Sequence, residues 1–435
     1  MNELRVRETL GKYLLTDAME PVMDLDKSEG CWIVDKRNKD RYLDLYSMYA
    51  SQTLGYNHPD LLNIQDKLGK VAVHKPSCSD IYTEEMAEFM STFSQIGIPE
   101  YLSHAFFIEG GALAVENALK TAFDWKVRKN FAHGRTTETG HKIIHFEQAF
   151  HGRSGYTLSM TNTHSAAKTK YFPKFDWPRI VNPKMIFPTT QENITKVIDM
   201  EKKAIIQIKE TISGQGADIA GLIIEPIQGE GGDNHFRKEF FQALQQICQE
   251  NEILFIMDEI QTGIGLTGKF WAHEHFDVKP DIISFGKKTQ VCGILAGKRI
   301  DEVKDNVFQE SSRIASTWGG NLIDMVRFTQ ILKTIKKDDL VDNARKQGIY
   351  LQSELIKLTR EYPFLLSNAR GIGLMCAVDF ISQEKRDAFI KKIFTEKILV
   401  IGCGENSIRF RPHLIVSQNE ITYAFEIFRR VLKKI

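Results

Sequence analysis

The sequence predicts an α/β fold: a mainly parallel sheet covered by helices on both faces, with a smaller α+β lobe attached. Two observations carry this expectation. Short, continuous apolar runs alternate through the middle of the chain with segments of helical spacing; unbroken apolar runs mark strands buried on both faces, and strand–helix alternation marks parallel connections. The length, 435 residues with 42% apolar and 26% charged side chains, is enough for a large core and two lobes.

The elements follow in order. The opening region reads as a helix and then a hairpin, with "CWIVD" and "RYLDLYS" as strands around the polar turn "KRNKD". "GYNHPDLLNIQDKL" breaks and starts a helix, with Pro59 near its beginning. "HAFFIE" is a strand, followed by a Gly-Gly turn and the helical "LAVENALKTAFDWKVRK". "KIIHFE", "GLIIEPI", "ILFIMDEI" and "DIISFG" are further strands, and "FRKEFFQALQQICQENE" carries apolar residues at helical spacing. From about Asn321 the tail reads as a long helix, the strand "IGLMCAVDF", more helix, a strand pair around "VIGCGENSIRFRP", and a last amphipathic helix. The expected division is residues 1–60 as the N-terminal segment of the small domain, 61–320 as the large domain and 321–435 as the rest of the small domain.

Composition excludes several function classes. With 57 basic against 56 acidic residues, no positive surplus favours nucleic acid or a membrane surface as partner. No apolar run approaches the ~20 residues of a membrane span, and "MNELRVRETLGKYLL" lacks a signal-peptide core, so a cytoplasmic protein is expected. Six scattered cysteines without a CxxC suit reduced, mostly buried thiols and no metal site. His273 and His275 in "HEH" point to different sides of a helix and make no metal pair.

"GIGLTG", Gly263 to Gly268, spells G-x-G-x-x-G. A dinucleotide-binding turn needs the first glycine directly after a strand and the last opening a helix. Here "DEIQT" intervenes, and at most a short helix fits before Pro280, so this motif reads as a turn beside a site. The residues before it are more informative. A strand ending in Asp258 and Glu259, and another ending before Lys287 and Lys288, place acids and amines at the carboxyl edge of a parallel sheet, where ligands bind. A lysine there is either solvated or held to form an imine with a carbonyl group.

"EGGALAVENALK", "FHGRSG", "EPIQGEGG", "DEIQTGIGLTG", "PDIISFGKK", "STWGGN" and "SIRFRP" together resemble the signature of class III pyridoxal-phosphate aminotransferases, in the family's order. The resemblance implies the fold-type-I architecture, with a seven-stranded, mainly parallel large-domain sheet plus a small α+β domain, pyridoxal 5'-phosphate as cofactor, and a homodimer with shared active sites. It implies that Lys287, rather than its neighbour Lys288, forms the imine, and that Asp258 pairs with the pyridine nitrogen. Gln261 would contact the phenolic oxygen, Gly111 and Ala112 the phosphate, and Thr317 the phosphate of the other subunit. Phe150 and Ile260 would flank the ring. Glu259 has no such role and is expected as a surface or network acid; His151 is expected to support rather than act as a base.

For substrates, the resemblance implies that Arg153 and Arg409 bind carboxylates, with Arg411 the less favoured neighbour. Glu230 would neutralise Arg409 when the reacting end of the substrate carries only an amine. "GGALA", Leu266 in "GLTG", and "GKKTQ" look most like the branch acting on the ε-amine of L-lysine, with 2-oxoglutarate as acceptor and 2-aminoadipate 6-semialdehyde and L-glutamate as products. Ornithine and 4-aminobutyrate are the alternative amine donors.

Overall fold

The structure is a computed structural model that describes residues 5–17, 19–74 and 80–435. Its centre is a seven-stranded sheet in the order Leu102–Ile108, Cys292–Gly297, Ile282–Phe285, Leu254–Asp258, Ile219–Ile224, Lys142–Phe146, Arg179–Ile180. Cys292–Gly297 runs antiparallel to both its neighbours, and every other pairing is parallel. The unbroken apolar runs are explained by burial on two faces. Leu254 and Ile256 pack with Val115, Ala118 and Trp125 of the Gly111–Ala132 helix, while Phe255 and Met257 face the larger core with Phe241 and Leu244 of Lys238–Glu250. Side chains of a strand alternate between faces, so a strand covered twice needs apolar residues at every position.

Two smaller sheets stand beside this one. Leu366–Ile372, Met375–Phe380, Ser407–Phe410 and Ile401–Cys403 form an antiparallel sheet. The N-terminal hairpin, Trp32–Val34 with Arg41–Asp44, takes Ile398–Leu399 as a third, parallel strand, which ties the start of the chain to its end. Five of the six cysteines are free and buried; Cys78 lies outside the described residues. No helix among the described residues is long and apolar enough to cross a membrane.

The tail departs from the sequence reading at one point. Where a single strand "IGLMCAVDF" was expected, two strands meet in a hairpin, because "LSNARGI" also pairs. That strand is polar and only partly covered, so it carries no apolar alternation. Its turn is a tight crossing. A side chain at Gly348, in the Leu340–Glu361 helix, would overlap the backbone of Gly373, and one at Gly373 would lie 2.6 Å from the carbonyl oxygen of Leu266. Leu374 donates to that same oxygen at 2.9 Å. Helix, hairpin and the "GLTG" turn thus meet backbone to backbone. Gly348→Ala is expected to destabilise the protein by about 1–3 kcal/mol through overpacking; denaturant unfolding of the variant checks this.

Candidate active site

The carboxyl ends of three adjacent strands deliver the chemistry. Ile219–Ile224 runs into Glu225, Leu254–Asp258 ends in its acid, and Ile282–Phe285 leads through Gly286 to Lys287. All three side chains line one cavity of about 420 Å³. Lys287 has φ 53°, and a side chain at Gly286 would come within 3.0 Å of both Cys292 and Ile260. The turn is therefore closely packed around the lysine. Burial, and then the Arg409 guanidinium, lower the Lys287 amine to about 8, against the pull of Asp258 and Glu225.

Lys288 points elsewhere. It is buried, and its Nζ donates to the carbonyl oxygens of Gln261 at 2.7 Å and Ala50 at 3.3 Å. Burial, then the charge of Lys287, hold its amine well below the ordinary lysine range. Of the two lysines only Lys287 reaches the cavity.

Asp258 is fixed on both oxygens. His151 Nδ1 donates to Oδ2 at 2.8 Å; Ser284 Oγ and the Ile260 N–H donate to Oδ1, each at 3.1 Å. Burial disfavours a charged His151, but its bond to Asp258 and the nearby carboxylates outweigh this and raise it above its ordinary value. Its Nε2 is buried without a partner. Glu225, which the motif reading did not single out, accepts from the N–H groups of Phe150 at 2.9 Å and Gly229 at 3.2 Å. Burial pushes its carboxyl up to about 7, with Asp258 adding to the rise. The signal was available: "GLIIE" ends in an acid as "LFIMD" does.

Phe150 and Ile260 both line the cavity. Ile260 lies against Gly111, where a side chain would approach it to 3.2 Å. Gly111 and Ala112 open the 22-residue helix Gly111–Ala132, which has no side-chain hydrogen bond at its N-cap Gly110, so the N–H groups of its first turn face the cavity unblocked by a capping side chain. Gln261 also lines the cavity; its Oε1 accepts from Arg411 Nε at 3.0 Å, and any side chain at Gly229 would overlap its amide. Thr317 stands apart. It is exposed and does not line this cavity.

The two expected carboxylate-binding arginines differ sharply. Arg153 is exposed at the cavity rim and makes no ion pair among the described residues. Arg409 is buried, and its Nη2 donates to Glu230 Oε2 at 2.6 Å. Burial opposes the charge on Glu230, but Arg409 and then Lys168 hold its carboxyl below the ordinary range. Arg411 is fully buried against Asp233, at 2.8 Å from Nη1 to Oδ2. Glu259 is not a surface acid: it is buried and accepts from the N–H groups of Ala272 at 3.1 Å and His273 at 2.7 Å. His273 is bonded to Glu259 and Tyr101, and His275 to Thr267, so both histidines are structural.

These residues fit pyridoxal phosphate: an amine of lowered pKa and an acid on one cavity, Phe150 and Ile260 in its wall, and a helix N-terminus with open backbone N–H groups for a phosphate.

The comparisons with known proteins agree. The family profile described as "Aminotransferase class-III" matches residues 15–432. The L-lysine-epsilon aminotransferase of Amycolatopsis lactamdurans is 46% identical over 97% of this chain and 94% of its own length. A solved lysine aminotransferase from M. tuberculosis, in the internal aldimine form, superposes with a TM-score of 0.97 at 46% identity, covering 100% of this chain and 99% of that one. The human mitochondrial 4-aminobutyrate aminotransferase is more distant, 31% identical over 96% of this chain and 86% of its own. With Lys287, Asp258 and Arg153 lining one cavity and Arg409 bonded to Glu230 in its wall, the chain belongs to the pyridoxal-phosphate-dependent class-III aminotransferases.

Proposed function

We propose that this aminotransferase is an L-lysine 6-transaminase, moving the ε-amino group of L-lysine to 2-oxoglutarate and producing 2-aminoadipate 6-semialdehyde and L-glutamate in two alternating half-reactions. The observation that carries the reading is the closed Glu230–Arg409 pair in a cavity also lined by Arg153, which has no ion-pair partner among the described residues. A donor with a bare amine at its reacting end and a carboxylate at the other needs one arginine open and one neutralised. 2-Oxoglutarate and glutamate carry two carboxylates and need both arginines. Lysine is favoured over 4-aminobutyrate by the lysine-acting relatives, at 46% identity against 31%.

Lys287, Asp258, Gln261, Gly111, Ala112, Phe150 and Ile260 would hold pyridoxal 5'-phosphate. Bound there, it supplies an aldehyde to capture the amine and a ring to take up the electrons left when a C–H proton departs. The chain supplies the proton handling. Lys287, with an amine near 8, takes the proton released from the amine-bearing carbon and returns it to complete the transfer. Asp258, braced by His151 and Ser284, presents a carboxylate suited to a protonated ring nitrogen. Arg153 positions the far carboxylate of lysine. We place the protein in the cytoplasm as a homodimer in which Thr317, exposed in one protomer, completes the site of a second copy, with residues 61–320 as the cofactor domain between small-domain segments 1–60 and 321–435.

Turnover of lysine carrying 15N at the ε position, with 2-oxoglutarate, is expected to give 15N-glutamate; label arriving instead from the α position would reject the assignment, and faster turnover of ornithine or 4-aminobutyrate would move it to those donors. Lys287→Ala is expected to lose roughly 10³-fold or more in this assay. A pH prediction concerns the amine itself. Burial lowers Lys287, so its free-amine form grows as pH rises through about 8. In cofactor-free protein, aldehyde capture at Lys287, trapped by borohydride and located by peptide mapping, should rise with a midpoint near that pH. A midpoint in the ordinary lysine range, near 10.4, would contradict the environment described.

A further inference from the structure

Glu230, which lines the cavity, is held by two cations of very different exposure. Arg409 Nη2 bonds Oε2 at 2.6 Å, while Lys168 Nζ bonds Oε1. Lys168 ends the short 3-10 helix Ala166–Lys168, with its head 5.9 Å from the centre of the Phe150 ring. Its side chain is 31% exposed, against 3% for Arg409. Neither cation lines the deep cavity itself.

We propose that Lys168 is a positioning residue for dicarboxylate ligands: it keeps hold of Glu230 when Arg409 turns to a ligand carboxylate. The inference rests on the two-arginine reading above and adds a residue that no motif supplied. The charge balance argues for it. Arg409, Lys168 and Glu230 sum to one positive charge, which a ligand carboxylate on Arg409 neutralises. Without Lys168 the remaining pair is already neutral. An arriving carboxylate would then displace Glu230 into a partly buried position with no cation, and an uncompensated buried charge is strongly disfavoured. With Lys168 in place, Glu230 exchanges two partners for one. A ligand with an amine at its reacting end leaves the Glu230–Arg409 pair closed and gains little from Lys168.

The test uses holoenzyme and two ligands that carry no amine and so cannot react. Glutarate offers a carboxylate to each arginine, and hexanoate offers one carboxylate and an apolar end that leaves the Glu230–Arg409 pair closed. Affinities by calorimetry would be compared among wild type, Lys168→Met, Lys168→Arg, Glu230→Gln and the Lys168→Met/Glu230→Gln double variant. Lys168→Met is expected to weaken glutarate by about tenfold (a change of about 1.4 kcal/mol) and hexanoate much less, with Lys168→Arg restoring most of the loss. In the Glu230→Gln background the Lys168 substitution should have no further effect, since its action runs through Glu230. Equal weakening of both ligands, or a loss that persists in the Glu230→Gln background, would show Lys168 acting as a general attracting charge and overturn the inference. Failure of wild type to bind glutarate at all would reject the two-arginine pocket, and the inference with it.

Discussion

The segment Gly229–Asn234 cannot leave its place, because three arginines of the C-terminal sheet are buried against it. Arg370 Nε donates to the Asp233 carbonyl at 2.9 Å and Nη2 to Ser407 Oγ at 2.9 Å. Arg411 is clamped to the Asp233 carboxylate, and Arg409 to Glu230. Arg409 and Arg411 are two residues apart at a strand end, so both point the same way. A guanidinium taken out of water must be matched; removing one partner of such a pair costs about 3–5 kcal/mol. The two pairs differ in burial. Asp233 and Arg411 are 0% and 1% exposed, whereas Glu230 keeps 20% of its side chain in contact with solvent. One loop therefore carries a fully buried rivet and, at Glu230, a pair that water reaches. The rivet also orients Gln261, whose Oε1 receives the Arg411 Nε–H, so the amide's N–H end is left for the cavity.

The same need for matched charge organises the sheet edge. Lys287 sits among two acids and two arginines, and these oppose each other: Arg409 and Arg411 discourage a proton on the amine, Asp258 and Glu225 encourage it, and burial tips the balance toward the free amine. Asp258 is held in place by three donors. Glu225, lifted to about 7 by burial and by Asp258, sits where one proton more or less relieves the crowding of acids. Its two backbone donors fix Phe150 and Gly229, so it also shapes the wall of the cavity.

Much of this was legible before any coordinates. Unbroken apolar strands gave the parallel sheet because burial on two faces leaves no other composition, and their terminal residues Asp258 and Lys287 fell at the edge where such sheets bind ligands. The choice of Lys287 over Lys288 rested on family resemblance alone; the physical distinction is that Lys288 is occupied by the carbonyls of Gln261 and Ala50. What stayed hidden has a common character. Lys168, Asp233 and Arg411 matter through partners far along the chain, 62 residues away for Lys168 and Glu230 and 178 for Asp233 and Arg411, and no local pattern encodes that. Glu259 was expected as a surface or network acid, and the network alternative holds: it is buried and closed in by the N–H groups of Ala272 and His273, 13 and 14 residues along the chain, so no local pattern chose between the two. The strand Leu366–Ile372 was lost because an edge strand lined by Ser367, Asn368 and Arg370 shows no period-two apolar signal.

One feature ran against every local preference. Ser47, Met48, Tyr49 and Ala50 have φ of 43°, 50°, 60° and 66°, a full turn of left-handed backbone without a glycine. Each residue there costs about 1–2 kcal/mol relative to a right-handed turn, so the surroundings must impose it. They do so from both ends. Asp44 Oδ1 accepts from the N–H groups of Tyr46 and Ser47, and Ser47 Oγ donates to the Arg411 carbonyl at 2.5 Å. The turn in turn serves the site. It aims the Ala50 carbonyl at Lys288 Nζ and the Ser51 carbonyl at Gln290, and it lays the Tyr49 ring 5.8 Å from the Arg409 guanidinium. A right-handed turn of the same residues would redirect all three groups. Lys288 would lose one of its two carbonyl acceptors, and Arg409 the ring on one face. Strain at the end of the "RYLDLYS" strand is thus the physical link between the N-terminal hairpin and the pair, Glu230 and Arg409, on which the choice of substrate is proposed to turn.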